Sequence, residues 1–452
     1  MGVLASMEER VMYPDPQSKS AQLFRRAARV IPGGMSRDAI YFPPYPLYVS
    51  EGSGCRLVDV DGVERLDFVN NASSTIVGHG HPKVVEAVQQ QAARVMGVGM
   101  PSEAEIGLAE LLCERLPAVE RVNFTTSGTE GVMFAIRAAR AYTRKQKIGR
   151  IEGGYNGSID CMETSRINST PERWGPAERP VTTLNGPGIP KSVLSDVVTL
   201  PFNDVDSTRQ ILLENADDLA GVLIDPYPGR LAFAQATQEY LTMLREFTTR
   251  HDCALIYDEV FCSRAGYRFA QGHCGVLPDL TALGKVIGGG LPIGAVAGSE
   301  KYMAVFDQDH PSYCVRHSGT YHANPMSMTA GLAAMQIMTP EAYDHIGALG
   351  ERLRRGLRDA LKASGVPGCV QGLASMTFMW LGTDGPIRNH RDLLTLPHDA
   401  GMQKALHHYL LNHGVQSIEA MAWLTSLPMT DADIDFAVTQ VANGLRALKK
   451  AG

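Results

Sequence analysis

The chain lacks most of the features that would assign it a class at once. Its eight cysteines are scattered with no C-x-x-C pair, which indicates neither a zinc site nor a disulfide framework and fits free thiols in a reducing compartment. No run of lysines or arginines is longer than two and the net charge is -6, so there is no basic stripe with which to hold a nucleic acid. No apolar stretch is long enough to span a bilayer, and Glu8, Glu9 and Arg10 stand where a signal peptide would need its apolar stretch. The expectation is a cytoplasmic chain without membrane or nucleic-acid partners. There is no G-x-x-x-x-G-K-[ST] and no strand-borne G-x-G-x-x-G, so nucleotide phosphates are not indicated. Repeats and low-complexity tracts are absent as well.

What is present is a chain of 452 residues, 44% hydrophobic and 20% charged, enough for one large domain with a smaller partner. Residues 18–31 carry apolar side chains at helical spacing until Pro32-Gly33-Gly34 stops them. A proline-punctuated segment follows, with Arg37 among Tyr41, Phe42 and Tyr45. That arginine is either solvated on the surface or a guanidinium fork for a substrate carboxylate. Residues 55–71 alternate around Asp61-Gly62 as a hairpin does. His79 and His81 precede a helix that starts at Pro82, and with no acidic or cysteine partner at ligand spacing no metal is expected.

From about residue 102 helical and strand-like stretches alternate, which predicts an α/β domain with a mostly parallel sheet. Strands are predicted at 121–126, 197–202, 220–226, 253–260 and 294–298. From Thr339-Pro340-Glu341 onward the pattern becomes that of a smaller α+β domain. Residues 385–403, polar and broken, predict a loop. The expected division is an N-terminal segment and small-domain part over 1–75, a large domain over 76–330 and a C-terminal small domain over 331–452.

Ligands of such sheets bind at the carboxyl ends of the strands, and three junctions there carry chemistry. Ser127-Gly128-Thr129 ends a strand and opens a helix, which makes either a phosphate cradle or an ordinary N-cap. Asp258 closes an apolar strand and needs a cation, either a protonated heterocyclic nitrogen or an arginine such as Arg264. Lys285 follows at an interval that fits one helix and one return strand, and the glycines 288–290 come after it. Lysine is the side chain that forms Schiff bases with carbonyl compounds. Phosphate anchor, counter-ion and amine at one sheet edge are together what pyridoxal 5'-phosphate requires. Tyr155, in the Tyr155-Asn156-Gly157 turn, supplies a ring that could lie over a cofactor.

The ordered set SGTE, YDEV, TALGKVIGGG and HSGTYHANPMSMTAG, across residues 20–445, resembles the class III pyridoxal-phosphate aminotransferases of fold type I. The resemblance implies a large domain with a mostly parallel central sheet and a small α+β domain built from both termini. It implies that Lys285 carries the cofactor as a Schiff base and shuttles the proton, and that Asp258 pairs with the pyridine nitrogen. Ser127, Gly128 and Thr129 would hold the phosphate, Tyr155 and Asn156 would lie in the cofactor-binding turn, and Thr320 would reach the phosphate of the neighbouring subunit of a homodimer. Within the class, PGGMSRDAIYFPPYPLYV resembles the β-amino acid (β-phenylalanine) aminotransferases, which place an arginine for the substrate carboxylate at Arg37, with Tyr41 beside it. D-phenylglycine aminotransferase and the glutamate-1-semialdehyde aminomutases are also similar, but the aminomutase arginine falls where this chain has Ile40.

Three positions depart from the family pattern. Asn156 replaces the usual histidine, Asp225-Pro226-Tyr227-Pro228 replaces the usual Glu-Pro segment, and Glu419, Ala420 and Met421 stand where the β-amino acid enzymes have a second arginine. The resemblance thus implies ping-pong transamination of an aromatic or hydrophobic β-amino acid, or a D-α-amino acid, with a 2-keto acid. The rivals are an intramolecular aminomutase and a non-catalytic pyridoxal-phosphate carrier.

Overall fold

The computed structural model describes residues 12–37, 41–166, 171–310, 312, 314–419 and 421–451. Ile40, Ala420 and the N-terminal Glu8, Glu9 and Arg10, on which expectations rested, lie outside the described residues.

Helix α1 (Lys19–Ala27) starts where the Ser18 hydroxyl accepts from the Ala21 amide. The Asp61-Gly62 hairpin forms as its alternation predicts: β1 (Val49–Ser53), β2 (Arg56–Asp59) and β3 (Glu64–Asp67) run antiparallel in sequence. Helices α2 (Pro82–Arg94) and α3 (Glu103–Arg115) lead into β4 (Arg121–Thr125) and α4 (Gly128–Thr143). The chain then alternates through β5 (Lys147–Ile151), β6 (Val197–Leu200), α5 (Val205–Asn215), β7 (Leu219–Ile224), α6 (Gln238–Arg250), β8 (Ala254–Asp258), β9 (Leu280–Gly284) and β10 (Gly294–Gly298). These strands form a seven-stranded sheet of order β4-β10-β9-β8-β7-β5-β6, parallel except for β10. Residues 219–224 and 254–258 are buried throughout, as strands covered by helices on both faces must be.

Beyond the sheet lie α7 (Glu300–Met303), α8 (Pro325–Ile337) and the long α9 (Pro340–Ser364). Thr339 caps α9 through the Ala342 amide at 3.3 Å, and Ile346, Leu349, Leu353, Leu357 and Leu361 bury its inner stripe. Each such side chain contributes about 1.5–3 kcal/mol. A second sheet joins β11 (Gly368–Leu373), β12 (Met376–Leu381) and β14 (Ala422–Leu424), while β13 (Val415–Gln416) pairs with β3. The C-terminal region thereby closes on the N-terminal hairpin, and Leu66, Phe68, Leu353, Trp423 and Ile434 share one core. Helix α12 (Asp431–Ala451) opens on a reciprocal cap: the Thr430 hydroxyl donates to Asp433 Oδ2 at 2.8 Å and accepts from the Asp433 amide at 3.4 Å.

Two expectations are corrected. The 385–403 stretch is not all loop: it holds α10 (His390–Thr395) and the start of α11 (Ala400–Asn412). Its polar residues are caps, Asn389 accepting from the Asp392 amide and Asp399 from that of Met402. No α-helix lies between Asp258 and Lys285 either; two short 3-10 turns, Cys262–Arg264 and Ala270–Gly272, precede β9. The fully buried Arg264 accounts for this, because it ties the segment to the carbonyls of Ser73 at 3.0 Å and Thr425 at 2.6 Å rather than leaving it to lie on the sheet. Among the described residues no helix is long and apolar enough to cross a membrane, and no cluster of three potential ligands could hold a metal ion.

Candidate active site

Strand register brings the three junctions together. The first residue of β10, Gly294, pairs with Thr125 at the end of β4 and with Gly284 at the end of β9, and Asp258 at the end of β8 pairs with Ala282. Ser127, Asp258 and Lys285 therefore leave the sheet at one edge.

Ser127 is the N-cap of α4 and accepts from the Glu130 amide at 3.3 Å. The Glu130 carboxylate turns back to accept from the Thr126 amide at 2.8 Å and from the hydroxyls of Thr126 and Ser127. Burial opposes its charge, but the Thr126 bonds and His322 outweigh it and keep Glu130 below the ordinary carboxylate range. The cap stands at the positive end of α4, where an anion is favoured. Gly128 is required there, since a Cβ would come within 2.7 Å of Val260, two residues beyond Asp258. Thr129 Oγ1 accepts from the Ser158 amide at 3.4 Å, which joins the cradle to the turn bearing Tyr155 and Asn156.

Asp258 is buried, and among the described residues no arginine pairs with it. Its Oδ2 accepts from Asn156 Nδ2 at 2.9 Å and its Oδ1 from the Val260 amide at 3.1 Å. Arg264, the rival partner, donates instead to the carbonyls of Ser73 and Thr425. Burial raises the Asp258 carboxyl, while Asn156, the Val260 amide and the charge of Lys285 lower it. Beside it Asp225, at the end of β7, is pushed up to about 7 by burial and by the Asp258 charge. Burial in turn lowers Lys285 to about 8, against the pull of Asp258 and Asp225. Its Nζ lies 4.2 Å from the centre of the Phe261 ring, and its backbone has a φ of 52°, a left-handed conformation, with Gly289 and Gly290 also at positive φ after it.

The other predicted residues are less central. Tyr155 is partly exposed, with the Arg166 guanidinium 5.1 Å over its ring. Arg37 donates to Asn71 Oδ1 at 2.9 Å, in the turn that leads to Thr75, whose Cγ2 would lie 3.7 Å from a Cβ placed on Gly290 of the glycine run. Tyr41 stacks on Phe24 at 6.2 Å, which makes it a packing partner of α1. Thr320 is exposed in the turn before α8. Sequence reasoning missed Phe261 and the part played by Asp225, for which a strand-terminal acid after an apolar run was the available signal.

These residues fit pyridoxal 5'-phosphate. The donor set at the α4 N-terminus suits a phosphate, the buried Asp258 has room in its charge balance for a protonated nitrogen, and Lys285 is an amine of lowered basicity.

The comparisons agree with this chemistry. The family model for class-III aminotransferases matches residues 41–443. A glutamate-1-semialdehyde 2,1-aminomutase of Methanopyrus kandleri is 36% identical over 430 residues, covering 94% of this chain and 96% of that one. An omega-transaminase from Sphaerobacter thermophilus is similar in structure at 42% identity and TM-score 0.93, over 97% of this chain and 99% of that chain. A β-phenylalanine aminotransferase from Variovorax paradoxus shares 30% identity at TM-score 0.85, over 95% of this chain and 94% of that chain. The chain belongs to the class-III aminotransferases, pyridoxal-phosphate-dependent transaminases of fold type I.

Proposed function

We propose that the protein moves an amino group from an aromatic or hydrophobic β-amino acid, or a D-α-amino acid, to a 2-keto acid by a ping-pong mechanism. The observation that carries the donor side is Arg37, held at 2.9 Å on Asn71, four residues before Thr75, whose Cγ2 would lie 3.7 Å from a Cβ placed on Gly290 of the glycine run. A guanidinium so placed suits a substrate carboxylate. Similarity to the β-phenylalanine aminotransferase supports the aromatic β-amino acid among these donors.

In this reading Ser127, Gly128 and Thr129 hold the phosphate and Tyr155 covers the ring, with Asn156 keeping Asp258 aimed at the ring nitrogen. Bound pyridoxal 5'-phosphate supplies an aldehyde for amine exchange and a protonated ring that draws electrons from the carbon bearing nitrogen. Lys285 Nζ takes the proton from that carbon and later returns it, a role that its lowered basicity near neutral pH favours. Asp258 keeps the ring nitrogen protonated, and Arg37 orients the donor by its carboxylate. The active unit in this reading is a homodimer in which Thr320 meets the phosphate of the second copy. A second reading, intramolecular amino transfer on a semialdehyde, is favoured by the 36% identity to the Methanopyrus kandleri aminomutase.

The test is the visible spectrum of the holoenzyme as L-α, D-α and β-amino acids are added singly without acceptor. Loss of the cofactor band with aromatic β- or D-amino acids, and a keto product in solution, is the expected result. A response to glutamate semialdehyde alone selects the aminomutase. Lys285→Ala should lower turnover by at least about a hundredfold; wild-type turnover in that variant overturns the assignment.

A further inference from the structure

Asn156 is the side chain that donates to Asp258, and what holds Asn156 comes from a distant part of the chain. Its turn leaves β5 at Glu152, a buried carboxylate gripped side-on by one edge of the Arg391 guanidinium, Nε to Oε2 at 2.8 Å and Nη2 to Oε1 at 2.7 Å. Arg391 lies on α10, and it also donates to the carbonyls of Trp174 and Gly175, each at 3.1 Å, while lying 5.3 Å from the centre of the Trp174 ring. The neighbouring His390 closes the other side: Gly153, with a φ of 77°, sits so near it that a Cβ would come within 2.3 Å of Nδ1. Arg150, fully buried, fixes the middle of the turn through the carbonyl of Gly154 and anchors it to Thr164 O at 2.7 Å. The polar stretch around 390 therefore lies directly against the cofactor turn.

We propose that Arg391, through its bidentate pair with Glu152, is a positioning residue for the Asn156–Asp258 hydrogen bond. The inference rests on the reading of Asp258 as the partner of the cofactor's ring nitrogen. A planar fork fixes both the place and the orientation of Glu152. Two residues of turn later that precision reaches Gly154, and after two more it reaches the Asn156 amide. Loosening the pair lets Nδ2 leave Asp258, which then takes a proton at higher pH. The groups facing Asp258 are Asp225, Lys285 and Cys262, with Glu259 beside it in the chain, and the Arg391 pair touches none of them.

The experiment follows cofactor retention and the visible band of the holoenzyme across pH. The variants are Asn156→Ala, Glu152→Gln with Arg391→Met, all three substitutions together, and Arg352→Met. The double variant removes both charges, so no unpaired carboxylate stays buried. Arg352 makes an equally bidentate pair with Asp435, at 2.7 Å twice, far along the chain on α9 and α12, and controls for stability alone. Asn156→Ala should move the acid limb of cofactor retention upward by roughly one pH unit. The double variant should move it the same way, add nothing on top of Asn156→Ala, and leave Arg352→Met like the wild type. A wild-type acid limb in the double variant, or a shift that adds to that of Asn156→Ala, overturns the proposal. If Asn156→Ala itself leaves the limb in place, the reading of Asp258 fails and the inference falls with it.

Discussion

Asp258, Asp225, Glu259 and Lys285 crowd one sheet edge, and their titrations pull stability in opposite directions. Glu259 is fully buried on two donors from Gln271, at 2.7 and 2.9 Å, and burial pushes it up to about 8. Asp225 is pushed to about 7. An acid with a raised value in the fold keeps a proton that the unfolded chain releases, so each group costs stability as pH climbs from the ordinary carboxylate range through its folded value. Lys285, lowered to about 8, works the other way: between there and its unfolded value the unfolded chain binds the extra proton, and stability recovers. The melting temperature of the cofactor-free chain should therefore fall between pH 5 and pH 8 and flatten above it. Glu259→Gln should remove up to about 1.4 kcal/mol of that loss per pH unit. Calorimetry across pH checks this; an unchanged slope would mean that Glu259 is already ionised in the fold. At this scale Lys285 and Asp258 were legible because an amine before glycines and an acid after an apolar run are local patterns. Asn156 was legible only as a departure, since its hydrogen-bond partner lies 102 residues away.

Among the elements, β4, β6, β7, β8 and β10 were readable as strands, β4 despite Arg121, whereas β9, read only as the approach to Lys285, and β5 were not predicted. The predicted strands at 220–226, 253–260 and 294–298 stand within a residue or two of β7, β8 and β10. By contrast, β5 reads KIGRI and went unpredicted, because its Arg150 is fully buried among carbonyls rather than exposed as a strand charge would be. The missing helix after Asp258 has the same cause in Arg264. Backbone contact is equally invisible to residue patterns: Gly294 looks like an ordinary strand glycine, yet a Cβ there would lie 1.9 Å from the Ser127 carbonyl oxygen. Gly294→Ala must push the α4 N-terminus off the sheet. The expected cost is about 1–3 kcal/mol of stability, with weaker phosphate binding read by cofactor titration. Gly186, with nothing near its would-be Cβ, should accept alanine with neither effect; a Gly294→Ala protein that behaves the same way would show that the cradle does not depend on this contact.

For the whole molecule, some of the exposed apolar side chains stand beside the turn that the proposed homodimer needs, while others, such as Val30 and Leu213, are exposed elsewhere. Met96 and Met100 are 64% and 72% exposed and Tyr321 is 68% exposed, while Asn324 Nδ2 donates to Met96 O at 3.1 Å and so ties the two segments together. Large apolar side chains gathered on one face mark an interaction site more often than they occur free on a monomer, and a stable interface buries at least about 1,000 Å². Thr320 stands in the same turn as Tyr321, so an interface there would carry it into the second copy. The sequence alone could place Thr320 only by likeness, because a residue that works across an interface leaves no pattern within its own chain. Light scattering should give the mass of two chains. Met100→Glu together with Tyr321→Glu should weaken association at least about a hundredfold, or about 2.7 kcal/mol, and lower cofactor retention in parallel as Thr320 is withdrawn. A double variant that stays dimeric removes this face as the interface; one that becomes monomeric but holds its cofactor as tightly as before leaves Thr320 without a role at the neighbouring phosphate.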